Sequence, residues 1–176
     1  AGQTNEGAVF VFLGSASGIA SGDPGSAAAQ LESNQPGALF GTAISGAGDV
    51  NGDGYDDVIV GAQLYDNGQN DEGAAFIFHG GASGIANGNP GTANTQLEGN
   101  QAILLQDFPP FAGAVAGAGD VNGDGYADVI VGGEGYTSGQ LREGAAFVFH
   151  GSASGVASGN PATANAFIQS NLARSE

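Results

Sequence analysis

The chain is 176 residues long, holds 34 glycines and no cysteine, and carries a formal charge of −16. With no lysine, and arginine only at Arg142 and Arg174, it is electrostatically unsuited to nucleic acid or an anionic membrane surface, and cations are its natural counterpart. The missing cysteine removes a disulfide framework and a thiol nucleophile, no apolar run is long enough to insert in a membrane, and a start at Ala1 is what a removed leader or a cut from a longer precursor would leave.

Internal repetition organises everything that follows. The first unit, residues 1–36, opens on GAVFVFL at 7–13, continues through GSASGIASGDP at 14–24 and ends on SAAAQLES at 26–33. Both the first and the last of these segments are expected to be strands.

The second unit, residues 37–100, is read as four strands. FGTAISGA at 40–47 is rich in glycine and alanine, as a crowded strand near an axis would be. An acidic loop follows, and then Asp57-Val58-Ile59-Val60-Gly61, a β-branched run closed by glycine. GAAFIFH at 73–79 is apolar on both alternating faces, which predicts burial on both sides of a sheet. After GGASGIANGNP at 80–90, the more polar TANTQLEG at 92–99 is expected to form an outer edge strand where the sheet meets water.

The third unit, residues 101–176, repeats the plan at 111–118, 128–132, 144–150 and 163–170, with GSASGVASGNP at 151–161. The acidic loops of the two full units are 71 residues apart, whereas the GxASG segments at 14, 80 and 151 are spaced by 66 and then 71. An insertion of 5 residues before the second acidic loop, within 102–110, accounts for the difference.

The loops read GDVNGDGYDDVIVG at 48–61 and GDVNGDGYADVIVG at 119–132. Asp49, Asn51, Asp53 and Asp57 occupy positions 1, 3, 5 and 9 of a calcium loop, with the carbonyl of Tyr55 at position 7. Asp120, Asn122, Asp124, Asp128 and the carbonyl of Tyr126 repeat the set, so two Ca²⁺ sites are expected. Oxygen donors of this kind suit a hard divalent cation. An EF-hand would place glutamate at position 12 and continue into a helix, but Val60 and Val131 stand there, each inside a predicted strand. Position 8 is Asp56 in one copy and Ala127 in the other, so it is not read as a ligand.

Four-stranded sheets at this interval, buried on both faces, predict an all-β chain of β-propeller blades, about two and a half of them in an incomplete ring. A β-helix would need shorter repeats, and an immunoglobulin-like sandwich would not repeat acidic loops in successive units. Phe40-Gly41, DVNGDGYDDVIV, Gly61-Ala62 and GSASG together resemble the FG-GAP repeats of integrin α-subunit propellers and of many secreted bacterial proteins. The name motif departs at Gln63, Phe111-Ala112 and Gly132-Gly133, none of which is a metal ligand.

No catalytic residue is expected. His79 and His150 end equivalent strands where the first unit has Leu13, which favours packing over catalysis, and the carboxylates of Asp53, Asp56 and Asp57 are better explained by calcium than as a hydrolase dyad. The expected function is an extracellular or cell-surface calcium-binding module for adhesion or binding. Its protein or glycan ligand would meet the loops at 64–71 and 134–140, with Tyr65, Asp66 and Tyr136, on the face opposite the calcium loops. The inserted segment, with Phe108 and Phe111 about two prolines, reads either as an aromatic platform or as a plug between blades. Two further readings stand beside this one: a structural subunit completed by other copies or further blades through its open edges, and an accessory propeller of a larger secreted enzyme.

Overall fold

The structure, a computed structural model, describes residues 2–102 and 111–170. The expected binding segment at 104–110, Phe108 included, lies outside these.

Among the described residues, ten strands form three antiparallel sheets. β1 (Ala8–Val11) pairs with β2 (Ala29–Glu32). The second sheet runs β3 (Phe40–Gly48), β4 (Asp57–Ala62), β5 (Ala74–Phe78), β6 (Thr95–Glu98), and the third runs β7 (Ala114–Gly119), β8 (Asp128–Gly133), β9 (Ala145–Phe149), β10 (Ala166–Gln169). Within each sheet every strand pairs with its neighbour in sequence, the order of propeller blades. The first sheet supplies the outer pair of one blade and the other two are complete.

Two hydrophobic clusters lie at the two blade junctions. Val9 and Leu31 of the first blade pack on Phe40, Val60, Phe76, Phe78 and Ile85 of the second. From the second blade's other face Ala47, Val50, Ile59, Ala75, Ile77 and Leu97 pack on Phe111, Val129, Val131, Phe147 and Val156 of the third. The alternation of β5 between these clusters is why all five of its residues are buried. Tyr65 stands edge-on to Phe76 with centroids 5.1 Å apart, and Tyr136 repeats this on Phe147 at 4.9 Å.

The small residues of β3 and β7 let the inner strands touch. A Cβ added at Gly117 would stand 2.6 Å from the carbonyl oxygen of Gly46. Gly117→Ala is therefore expected to destabilise the fold by about 1–3 kcal/mol, read as a lower urea midpoint.

The fourth strands differ from expectation in two ways. They are shorter, because Pro24–Ser26, Pro90–Thr92 and Pro161–Thr163 form 3-10 turns. Each turn is capped by the residue before its proline, and Asn89 shows how: its side chain accepts from Gly91 N–H while its own N–H donates to Thr92 Oγ1. Nor do β2 and β6 simply meet water. Leu31 pairs in parallel with Gly88 of the next blade and Leu97 with Gly159, which buries both leucines and leaves only the alternate polar residues outward.

Candidate metal centre

Each acidic loop joins the inner strand of a blade to the next, entered through a register shift at Gly46/Gly48 or Gly117/Gly119. Gly54 and Gly125 take φ of 90° and 93°, a turn that glycine adopts without a Cβ penalty.

Asp49 gathers the loop. Its Oδ1 accepts N–H bonds from Gly52 at 2.7 Å and Asp53 at 3.0 Å, and its Oδ2 accepts from Gly54 at 2.8 Å. Asn51 Oδ1 also accepts from Asp53 N–H at 3.0 Å, and its amide nitrogen donates to Asp53 Oδ2 at 3.0 Å. Tyr55 enters through its N–H, which donates to Asp53 Oδ1 at 3.0 Å. Asp57 closes the loop from β4, accepting Val50 N–H at 2.9 Å and Gly80 N–H at 2.7 Å.

The second loop repeats these bonds. Asp120 accepts from Gly123, Asp124 and Gly125 at 2.7, 3.1 and 2.9 Å. Asn122 takes Asp124 N–H at 2.9 Å and donates to its carboxylate at 2.8 Å, while Tyr126 N–H reaches Asp124 Oδ1 at 3.0 Å. Asp128 accepts from Val121 at 2.8 Å and Gly151 at 2.9 Å.

Backbone donors and desolvation compete at the loop carboxylates. At Asp120 the N–H of Gly125 leads, and with Gly123, Asp124 and the charge of His150 it holds the carboxyl below the usual range against some desolvation. Desolvation is also the largest influence on Asp49, yet the N–H groups of Gly54, Gly52, Asp53 and Asn51 together hold it low. Asp57 goes the other way. Burial pushes it up, more than Gly80 and Val50 N–H and His79 pull it down, and the Asp53 charge adds to the rise.

The donor chemistry fits calcium. A carboxylate oxygen has two acceptor sites, so Asp49 Oδ1 is filled, while Asp49 Oδ2 and both oxygens of Asp53 and Asp57 each accept one bond above. Those remaining sites, Asn51 Oδ1 and a main-chain carbonyl are oxygens of the kind that Ca²⁺ takes. Counting only His, Cys, Asp and Glu, no three such side chains among the described residues come together as a metal-holding group. The three carboxylates of each loop, Asp49, Asp53 and Asp57 or Asp120, Asp124 and Asp128, are therefore not gathered into such a group, the third of each accepting Val50 or Val121 N–H.

The two loops touch. Ala127 N–H donates to the Asp49 carbonyl at 3.0 Å, and the Tyr126 ring covers Gly52, where an added Cβ would come within 2.7 Å of it. Position 8 is therefore a junction residue in the third blade, where Ala127 fits against Gly48, and an exposed one at Asp56. His79 also packs at this junction. Its Nδ1 lies 3.2 Å from the Asn51 amide nitrogen, and its Nε2 is buried against Gly155 of the next blade.

On the opposite face the tyrosines of the expected ligand loops are half-buried packing residues, and burial raises both phenols, with the charge of Asp66 adding to the rise at Tyr65. Phe111 is fully buried with its ring 5.6 Å from Phe147, so it plugs the junction and takes no part in an exposed platform. The glutamines of the inter-blade connections clasp the next blade: Gln35 exchanges two bonds with the backbone of Asp66, and Gln101 does the same with Thr137. A cleft of about 440 Å³ opens between the second and third blades here, lined by Gln63, Gly113, Ala114, Gly132, Gly133, Glu134 and Ala145.

Glu72 is a structural residue that the motif reading missed. Fully buried, it accepts N–H bonds from Asn67, Gln69 and Asn100 at 2.9, 3.3 and 2.8 Å, tying the loop before β5 to the exit of β6. Glu6 accepts Gln3 N–H and Glu143 accepts Ser138 N–H in the same role. The signal is a Glu-Gly pair before every third strand, at 6–7, 72–73 and 143–144.

Residues 40–78 and 111–149 match the FG-GAP repeat family, so the chain carries two such repeats. It is 38% identical over 130 residues to integrin alpha pat-2 of Caenorhabditis briggsae, a match covering 74% of this chain and 10% of that protein. It is also 40% identical over 94 residues to integrin alpha-6 of Homo sapiens, covering 53% and 7%, and 33% identical over 99 residues to integrin alpha-2 of Mus musculus, covering 54% and 8%. The chain therefore spans at most a tenth of the length of these relatives. Among the described residues, no helix is long and apolar enough to cross a membrane.

Proposed function

We propose that this chain, bearing two FG-GAP repeats, is a non-catalytic, extracellular β-propeller segment that binds two calcium ions and presents the face opposite them for adhesion to a protein or glycan. One observation carries the calcium reading: two loops 71 residues apart hold the same nine-position set of oxygen donors in the same hydrogen-bond pattern. The first ion would be held by Asp49, Asn51, Asp53, Asp57 and the carbonyl of Tyr55, the second by Asp120, Asn122, Asp124, Asp128 and the carbonyl of Tyr126.

Calcium supplies positive charge among clustered carboxylates and holds the hairpin between inner strands in one shape. Two ions would bring the formal charge from −16 to about −12. Extracellular modules bind calcium at about 10⁻⁴ to 10⁻³ M, a range that keeps such sites filled outside cells. The similarity to integrin α chains and the cleft between the second and third blades support the ligand-face reading.

Calorimetric titration is expected to give two ions per chain, and Asp53→Ala or Asp124→Ala one each. A wild-type chain that takes up no calcium at millimolar concentration overturns the reading.

A further inference from the structure

His79 lies outside the first acidic loop in sequence but touches it in space. Its Nδ1 is 3.2 Å from the Asn51 amide nitrogen, and the bonds around the pair decide which of the two donates. Asn51 Oδ1 accepts Asp53 N–H at 3.0 Å, and the amide nitrogen donates to Asp53 Oδ2 at 3.0 Å. A backbone N–H can only donate and an ionised carboxylate can only accept, so the Asn51 amide is held in one orientation. Its second hydrogen is left for His79. Nδ1 is therefore the bare, accepting nitrogen, and the neutral ring carries its hydrogen on Nε2.

That hydrogen goes unused. Nε2 is buried with no hydrogen-bond partner among the described residues. The third blade closes over it: a Cβ added at Gly155 would stand 2.7 Å from Nε2, 2.8 Å from Cε1 and 3.9 Å from the Asn51 Cβ. Glycine there, at φ of 84°, lets the segment at 151–155 come this near. A buried N–H without an acceptor costs stability, and packing does not call for one. Leu13 fills the equivalent place between the first and second blades, its Cδ2 2.8 Å from where a Cβ on Gly84 would stand. What histidine adds over leucine at this position is the accepting Nδ1.

We propose that His79 is a positioning residue for the first calcium site, taking the second amide hydrogen of Asn51 and so keeping Asn51 Oδ1 on the loop side. Turning the amide over would set Oδ1 against two acceptors, Nδ1 of His79 and Oδ2 of Asp53. The ring is fixed from behind by the third blade, so a residue of one blade and a glycine of the next together orient a metal ligand. At the second loop, among the described residues, the Asn122 amide donates to Asp124 alone, at 2.8 Å, which makes that loop an internal reference. The role rests on the calcium reading of the first loop.

The test separates positioning from packing. In the Asp124→Ala chain, which keeps the first site, His79→Leu is expected to weaken calcium binding about tenfold in calorimetric titration, the scale on which a group behind a metal ligand acts. His79→Asn, whose Oδ1 can stand where Nδ1 stands, is expected to recover most of that affinity. In the Asp53→Ala chain, which keeps the second site, His79→Leu should change affinity far less. With chelator present, His79→Leu alone is expected to unfold at a urea concentration no lower than wild type, because it keeps the packing and removes a buried unpaired N–H. A histidine that only packs would lose stability there and leave affinity untouched. Nitrogen NMR of the metal-free wild type, with the ring neutral, reads the premise without any substitution: Nε2 bears the hydrogen and Nδ1 none. The role is overturned if Nδ1 carries the hydrogen, if His79→Leu binds calcium as tightly as its parent, or if His79→Asn binds no better than His79→Leu. A wild type that takes up no calcium overturns it together with the calcium reading, whereas two ions in the wild type and an unaffected His79→Leu chain overturn this role alone.

Discussion

Glu72→Ala is expected to lower stability by about 3 kcal/mol or more, among the largest effects of any substitution outside the apolar core. The carboxylate is fully buried and accepts three backbone N–H bonds from two separate segments, at Asn67, Gln69 and Asn100. Hydrogen bonds to a charged group contribute about 1.5–3 kcal/mol each, and truncation leaves their donors inside the protein without an acceptor. Glu72→Gln should lose roughly half as much. One amide oxygen still accepts, while the amide nitrogen turns a donor toward a donor. Urea unfolding of the three chains decides this. If alanine costs no more than glutamine, the carboxylate does not organise the loops.

The residues most legible in the sequence were those that repeat with a fixed chemistry. Asp49, Asn51 and Asp53 bond within one turn because their spacing lets short side chains reach its backbone N–H groups, and Asp57, on β4, accepts Val50 N–H. The double-sided burial of β5 was equally readable, since Phe76, Ile77 and Phe78 alternate between two junctions without a polar interruption. Blade architecture followed from these two observations and the repeat length.

What stayed hidden was decided between blades. Leu31 and Leu97 sit in polar segments that suggest a wet edge, and only the neighbouring Gly88 and Gly159 explain their burial. Phe111 stands beside an inserted segment, where platform and plug read alike until Phe147 is placed against it and the plug is the one found. Taken alone, position 8 reads only as ligand or not, although Ala127 abuts Gly48 of the previous blade, where little space is left. Glu72 is not legible in this way: a lone acidic residue before a strand suggests solvent, and its three donors arrive from positions 5, 3 and 28 residues away.

Calcium is expected to raise the melting temperature by between about 6 and 20 °C at roughly 10 mM free ion, and a chelator to reverse the gain. Binding only to the folded state stabilises by RT ln(1 + [L]/Kd), which at the affinities of extracellular modules is about 1.4–2.7 kcal/mol per site. Two sites double that, and each kcal/mol moves the midpoint of a domain this size by about 2–4 °C. Asp53→Ala and Asp124→Ala isolate the sites. Independent loops would give single-variant shifts that sum to the wild-type shift. These loops are not independent, because the Asp49 carbonyl holds Ala127 N–H and Gly52 lies under Tyr126, so an ordered loop in one blade supports the other. The sum is therefore expected to fall short of the wild-type shift. Equality would mean that the contact transmits nothing, and a wild type whose melting ignores calcium would defeat the metal assignment itself.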